Sequence, residues 1–186
     1  MDAVKNFLVL NEVAGSFFFC STILRSGGDT MKVAIGLFVA AAISAGAGFN
    51  SAATFAAVMD GSGDPQRAGL EAGSHILGAI LALHLNNYLH GKRMKAAKRG
   101  GIDHKALVGE FLGTMILALA AAKGDSMTTA MGLYVAANAY AGDFNPAVTM
   151  MNFVNTKKGN PARLGSTVLA QILGWRAAGF VASAMA

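Results

Sequence analysis

Charged residues in this chain lie mostly in short connectors, which separate long apolar runs. Only 13% of the 186 residues are charged, whereas soluble domains have about a quarter. The runs 33–49, 70–89 and 106–122 are almost free of charge. Apolar runs of about this length are typical of membrane-spanning helices, whose peptide groups bond to one another because lipid offers no hydrogen-bond partner. The sequence therefore predicts an all-α membrane protein.

Six of the apolar segments approach the roughly 20 residues that a membrane-crossing helix needs. The predicted spans are residues 6–24, 31–45, 68–89, 105–122, 126–141 and 163–185. The second and fifth are short for a crossing, and each is followed by a brief apolar segment, residues 51–59 and 146–154. These segments are predicted to be half-membrane re-entrant helices. The non-helical backbone that leads into them must be buried in protein or line water, which implies a cavity.

One short phrase occurs twice within these apolar stretches. Residues 48–54 read Gly-Phe-Asn-Ser-Ala-Ala-Thr, and residues 143–149 read Asp-Phe-Asn-Pro-Ala-Val-Thr. Other matching segments are separated by nearly the same number of residues, an offset by which Glu12 corresponds to Glu110. Several anchors at one offset indicate an internal duplication.

The duplication predicts an inverted repeat. Each half contributes three spans, an odd number, so the second half must enter the membrane from the opposite side. Residues 1–90 form the first repeat, residues 91–104 a basic connector, and residues 105–186 the second repeat. In such folds the functional site lies near the midplane, where the broken helices meet.

Four elements follow one another in the same order in both halves: a helix with a glutamate, a short helix, an Asn-Pro-Ala-type half-helix and a helix with a polar-x-x-Gly signature. This order resembles the aquaporin and aquaglyceroporin family. The resemblance covers essentially the whole chain, although the connectors are unusually short for that family. It implies a right-handed bundle of six transmembrane helices plus two half-helices, assembled as a homotetramer. It also implies a passive channel for water or small neutral solutes. The implied pore motifs are Asn50, Ser51, Ala52, Asn145, Pro146 and Ala147.

The resemblance implies that the two half-helices meet end to end and that Asn50 and Asn145 donate hydrogen bonds to passing water. The physics agrees, because helix N-termini carry partial positive charge. Asparagine is also a strong N-cap whose NH₂ group remains free to donate.

The resemblance gives Glu12 and Glu110 a supporting role, in which they accept hydrogen bonds from the loops before the half-helices. Proton or ion binding by these two carboxylates stays open. His75 corresponds to Gln171 in the repeat, and both are predicted to pack near a half-helix.

The chain departs from the family where the channel filter would lie. Val148 stands where the family usually has an arginine, Gly48 where it often has a histidine, and Asp143 lies close to the second asparagine. A valine cannot repel a cation, and a carboxylate attracts one. With Phe49 and Phe144, these three are the candidate filter residues. The sequence predicts a channel of altered selectivity, with a non-conducting structural or assembly protein of the same fold as the alternative.

Basic residues are concentrated in connectors that would lie on one side of the membrane. In the family's usual orientation, the inner connectors hold three lysines and arginines and the outer ones eleven. Because short cytoplasmic loops are normally the basic ones, the charges predict the opposite orientation or a membrane whose inside is not the ordinary cytoplasm. The densest group is predicted to contact anionic lipid head groups, at about 1 kcal/mol each: Lys92, Arg93, Lys95, Lys98 and Arg99. A protein partner stays open, and nucleic-acid binding is disfavoured.

The remaining features predict packing rather than chemistry. Arg176 lies inside an apolar run and is predicted to pair with a carboxylate, for which Asp143 and Glu71 are the candidates; pore lining and an interface or snorkelling position stay open. The Gly-x-x-x-Gly pairs 69/73 and 109/113 suit close helix crossings. The sequence has no phosphate loop, nucleophile elbow or metal-ligand pattern. We therefore expect no enzymatic activity, no metal and no cofactor.

Overall fold

Helices account for all the regular secondary structure in the part of the chain that the computed structural model describes, residues 2–44, 48–91, 102–156 and 159–185. They are α1 (Asp2–Ser26), α2 (Thr30–Ile43), α3 (Ser51–Met59), α4 (Pro65–His90), α5 (His104–Ala121), α6 (Ser126–Ala139), α7 (Pro146–Asn155) and α8 (Pro161–Ala184). The predicted order of six longer helices and two short ones is confirmed, and the boundaries shift by only a few residues.

Most of these helices begin at an aspartate or asparagine whose side chain accepts a backbone N–H of the first turn. The capping residues are Asp29, Asn50, Asp64, Asp103, Asp125, Asn145 and Asn160. In α4, α7 and α8 a proline follows the cap, where its missing N–H costs nothing. The local sequence therefore fixes where the helices start, including the two half-helices.

Helix contacts recur in the same order in the two halves. α1 packs on α4 as α5 packs on α8, and α1 contacts α2 as α5 contacts α6. Each half-helix also packs against the last helix of the other half, α3 on α8 and α7 on α4. The halves are thus interlocked, and the starts of α3 and α7 come together in the interior.

Two glycines allow the closest helix crossings. A Cβ atom on Gly78 would lie 2.4 Å from the carbonyl oxygen of Val13, and one on Gly174 would lie 2.3 Å from that of Phe111. Both neighbours are backbone atoms, which cannot move aside without the helix. These positions set the distance between α1 and α4 and between α5 and α8.

The glycine pairs predicted to lie at helix crossings behave differently from each other. A Cβ on Gly113 would lie 2.1 Å from the ring of Phe144, and one on Gly109 would lie 3.6 Å from Tyr140. A Cβ on Gly69 or Gly73 would meet nothing within 4 Å. The prediction is therefore wrong for Gly69 and Gly73 within this chain, because that face of α4 is open.

The outer surface of the bundle is apolar. Leu10, Ile43, Leu70, Val108 and Leu169 come from five helices and are each more than half exposed. Such an extended apolar surface marks contact with lipid or another protein. By length and composition, α4 and α5 are the described helices that qualify as membrane-crossing. These features are those of a membrane-integral protein.

Arg176 does not pair with either predicted partner. Its Nε lies 2.5 Å from Oδ1 of Asp60, the residue that ends α3, while Glu71 pairs with Arg67 at 2.6 Å. Because α3 packs on α8, the end of the half-helix reaches the partly exposed arginine. The prediction that Asp143 or Glu71 pairs with Arg176 is wrong.

The structure places the ends of α1 and α4 at one face, where the side chains of Arg25 and His90 contact each other. The basic connector follows α4 directly. Its residues predicted to contact lipid head groups, Lys92, Arg93, Lys95, Lys98 and Arg99, lie outside the described residues.

Candidate functional site

The starts of α3 and α7 form the centre of the site. Oδ1 of Asn50 accepts the N–H of Ala52 at 3.0 Å, and Oδ1 of Asn145 accepts the N–H of Ala147 at 2.9 Å. Both asparagines are buried, with 6% and 4% of their surfaces exposed. Each cap satisfies one of the N–H groups that a helix start leaves free.

Each asparagine also donates a hydrogen bond to the loop before the opposite half-helix. Nδ2 of Asn50 donates to the carbonyl oxygen of Phe144 at 2.9 Å, and Nδ2 of Asn145 donates to that of Phe49 at 2.5 Å. A side-chain amide has two N–H hydrogens, so each asparagine spends one on the opposite loop. The expectation of an amide entirely free for a passing molecule is therefore corrected: one hydrogen remains on each.

The phenylalanine before each asparagine makes an unusual turn. Phe49 and Phe144 have φ values of 49° and 53°, a left-handed conformation that costs a non-glycine residue about 1–2 kcal/mol. Their rings are buried against Gly15 and Gly113, where a Cβ would lie 1.9 and 2.1 Å from the ring. The turn aims each peptide N–H at a glutamate and each carbonyl at the opposite asparagine.

In the first half, Glu12 holds the loop. Its carboxylate accepts the N–H groups of Gly48 at 2.9 Å and Phe49 at 3.1 Å. Nε2 of His75 lies 2.6 Å from the same carboxylate, and Nδ1 of His75 lies 3.0 Å from Oγ of Ser51, the first residue of α3. The loop and the half-helix are thus connected through one buried histidine.

In the second half, Glu110 holds the corresponding loop, and the side chain that contacts it is neutral. Glu110 accepts the N–H groups of Asp143 and Phe144, both at 2.9 Å. Nε2 of Gln171 lies 2.9 Å from Glu110 and 2.9 Å from Oγ1 of Thr149. Where the first half has a titratable histidine, the second has an amide that cannot change its charge.

A small cavity lies beside the asparagine pair. Its volume is about 40 Å³, enough for roughly three waters at about 10–15 Å³ each. The polar or small residues that line it are Gly48, Asn50, Thr129, Asp143 and Asn145. Larger apolar side chains complete the wall: Phe19, Leu37, Phe49, Leu117, Leu133 and Trp175.

Only some of the candidate filter residues line this cavity. Gly48, Phe49 and Asp143 line it, while Val148 and Phe144 pack in the buried apolar cluster with 2% and 1% of their surfaces exposed. The position at which the resemblance leads one to expect an arginine is thus inside the protein.

The sequence alone did not identify most of the apolar wall. Four wall residues form two pairs at the repeat offset, since Phe19 and Leu117 are 98 residues apart and Leu37 and Leu133 are 96 apart. Applying the offset to apolar positions would have found these pairs. Within the described residues, no three His, Cys, Asp or Glu side chains are grouped to hold a metal ion.

Ser51 offers a test of the histidine link. We expect Ser51→Ala to lower the free energy of unfolding by roughly 1–3 kcal/mol, because a buried ring nitrogen of His75 loses its partner. Ser51→Pro, which copies Pro146, loses the same contact but pre-orders the helix start, so it should be less harmful. Thermal unfolding in detergent measures both, with the exposed Ser62→Ala as control. Wild-type stability in both variants would contradict the link.

Comparison with solved structures identifies the fold. The X-ray structure of the aquaglyceroporin from Plasmodium falciparum matches with a TM-score of 0.77 and 16% sequence identity, over 94% of this chain and 93% of that chain. No protein-family model matches the sequence, and no curated protein does. At this identity the likeness concerns the fold. The chain therefore has the aquaporin-type fold of helices and half-helices that its sequence predicts.

Proposed function

We propose that this protein is a passive membrane channel for water and small neutral solutes. One observation carries the proposal: two buried half-helix starts meet, and their asparagines border a cavity. Each amide keeps one hydrogen for a molecule in the cavity. Non-helical backbone at membrane depth is tolerated where it is buried or lines water, and the partial positive charge of both helix starts would orient that water.

The dimensions of the cavity favour water over larger solutes. The cavity has space for a few water molecules in single file. Because its wall is mostly apolar, each water makes few hydrogen bonds to the protein as it passes. Leu37 and Leu133 stand on that wall, and a polyol would have to displace such side chains. The buried Val148 supplies no charge to the passage, so selectivity differs from that of a channel with an arginine filter.

Stopped-flow light scattering on proteoliposomes tests the proposal. We expect water permeability well above that of empty vesicles and a much smaller increase for glycerol. Water permeability equal to that of empty vesicles would refute conduction.

That negative result would favour the alternative, a non-conducting structural or assembly protein of the same fold. The observation on its side is that each asparagine already donates one hydrogen to the opposite loop, through Phe49 and Phe144. Hydrogen bonds that join the two loops in this way would stabilise the fold whether or not the protein conducts.

The channel is proposed to be a multi-pass membrane protein inserted opposite to the family's usual orientation and assembled as a homotetramer. The charge bias of the connectors supports the orientation. A protease-cleavable tag placed in residues 91–104 tests it, since cleavage from outside intact cells would contradict the proposed insertion. Cross-linking of the protein in its membrane tests the tetramer.

The substitution Asn145→Asp should weaken the exclusion of cations. Aspartate keeps the helix cap, but it puts a carboxylate oxygen against the carbonyl oxygen of Phe49 and a negative charge at the midplane. We expect the permeability ratio of potassium to water to rise and stability to fall by roughly 1–3 kcal/mol. Vesicle flux measurements give the ratio.

Asn160→Asp is the matched control for this substitution, because Asn160 is an exposed N-cap of α8. It should leave both permeabilities unchanged. Unchanged selectivity in Asn145→Asp would remove Asn145 from the proposed site.

A further inference from the structure

Trp175 extends from α8 to the wall of the cavity. Among the residues of α8 that the structure describes, Trp175 alone lines the cavity, and neither Gly174 nor Ala178 reaches it. A helix backbone that bordered the cavity would be exposed first at Gly174, because glycine has no side chain to cover it. The indole of Trp175, rather than its backbone, therefore forms this part of the wall.

The position of Trp175 in α8 directs its side chain inward. Trp175 follows Gln171 by about one helical turn, and residues four apart lie on the same face of a helix. Gln171 is completely buried, and its Nε2 lies 2.9 Å from Glu110. Long side chains in a helix lean back over the preceding turn, so the indole lies on the side of Gln171. Trp175 also packs against the buried apolar cluster.

The first half of the chain has no equivalent of this side chain. At the offset that relates His75 to Gln171, the counterpart of Trp175 is Ala79. Ala79 is completely buried in the apolar cluster and does not line the cavity. Other apolar wall residues come in pairs from both halves: Phe19 with Leu117, and Leu37 with Leu133. Trp175 therefore adds bulk to the wall from the second half only.

This bulk narrows a passage that has no arginine at the expected position. Val148 stands there instead, and it is buried in the apolar cluster rather than on the wall. Trp175 has the largest side chain on the wall of a cavity of about 40 Å³. An indole occupies more volume than a glycerol molecule, so removing it would leave room for a solute of that size.

We propose that the indole of Trp175 sets the size limit of the passage, admitting water and holding back glycerol and larger solutes. The inference rests on the proposed channel, because a size limit requires a passage. Trp175 acts through its volume, since the ring fills the space that a polyol would need. The small Ala79 at the corresponding position leaves this role to α8.

Replacing the ring by the alanine of its counterpart tests the proposal. Proteoliposomes containing the full chain, as wild type or Trp175→Ala, are assayed for water and glycerol permeability by stopped-flow light scattering. We expect the ratio of glycerol to water permeability to rise about tenfold or more in Trp175→Ala, since forcing a group into a packed wall is a barrier of that order. Trp175→Phe, with a smaller ring, should raise the ratio less.

The matched control is Leu173→Ala, on the same helix. Leu173 is 39% exposed and does not line the cavity, so this variant also loses a large apolar side chain but leaves the wall intact. Its permeability ratio should equal that of the wild type. A ratio in Trp175→Ala no higher than that of the wild type would overturn the inference and leave water conduction untouched.

Fluorescence keeps the inference testable if Trp175→Ala does not fold. Trp175 is the single tryptophan of the chain, so the emission of the wild type reports this residue alone. Brominated lipids quench a tryptophan that contacts their acyl chains. We expect little quenching in the wild type and strong quenching in the double variant Trp175→Phe/Phe180→Trp, because Phe180 is 64% exposed. Equal quenching in the two proteins would show that the indole faces lipid and would overturn the inference.

The outcomes separate the inference from the proposed function. A wild type that conducts glycerol as well as water would overturn the inference alone. Water permeability equal to that of empty vesicles in both the wild type and Trp175→Ala would overturn the channel, and the size limit with it. Water permeability that arises only in Trp175→Ala would overturn conduction by the wild type but would support Trp175 as the residue that narrows the passage.

Discussion

Replacing Glu110 with alanine is expected to abolish water permeability and to prevent the second half-helix from holding its position. The substitution leaves the N–H groups of Asp143 and Phe144 without acceptors. Each unsatisfied buried group costs about 1–3 kcal/mol, so roughly 2–6 kcal/mol is lost before Gln171 is counted. The strained turn at Phe144 is then held only by its ring packing and by the hydrogen bond from Asn50 to its carbonyl oxygen. Thermal unfolding and stopped-flow measurements in the same preparation would show both effects.

Glu110→Gln is the conservative comparison, because its single carbonyl oxygen can keep one of the two N–H groups. We expect an intermediate loss of stability. Glu71→Ala serves as the comparison, since Glu71 accepts no loop N–H. It loses the pair with the exposed Arg67, which contributes about 0–1 kcal/mol, and the hydrogen bond from the Thr54 hydroxyl at 3.2 Å, which contributes about 0.5–1.5 kcal/mol, so its loss should be smaller than that of Glu110→Ala. If Glu110→Ala and Glu71→Ala were equally stable, Glu110 would not be the support of this loop.

The sequence predicted the half-helices well because their signals are local. Asn50 and Asn145 are strong caps, and Pro146 can only begin a helix at that point. The repeat then extended the prediction to Ser51, which alone would have been a weak signal. Composition and run length supplied the longer helices in the same way, since lipid leaves the backbone few alternatives.

The sequence could not predict contacts that depend on how distant elements cross. Arg176 pairs with Asp60 because α3 packs on a helix from the other half, and no spacing along the chain encodes that crossing. The same holds for the bonds from each asparagine to the opposite loop.

The left-handed turns at Phe49 and Phe144 were also beyond prediction, because bulky residues rarely adopt positive φ. The only signal was indirect. Gly15 and Gly113, at one repeat offset, leave the space that each ring fills. A glycine in an apolar helix can thus mark the place where a side chain from another segment enters.

The substitution Gly78→Ala should strongly destabilise the protein. Its Cβ would lie 2.4 Å from the carbonyl oxygen of Val13, so α1 and α4 must move apart. Overpacking of this kind costs about 1–3 kcal/mol. The crossing also lies beside Glu12 and His75, whose contact at 2.6 Å joins the same two helices, and its loss adds roughly 1.5–3 kcal/mol. We therefore expect a much lower unfolding temperature and no water permeability.

The chain contains its own controls for Gly78→Ala. Gly73→Ala and Gly69→Ala lie on the same helix in open space, so they should be neutral or stabilise α4 by about 0.5–1 kcal/mol through helix propensity. Gly174→Ala should reproduce the damage in the second half, because its Cβ would lie 2.3 Å from the carbonyl oxygen of Phe111. If Gly73→Ala and Gly78→Ala were equally well tolerated, the close crossing of α1 and α4 would not be what holds Glu12 in place. The support of the first half-helix would then have to come from the loop itself.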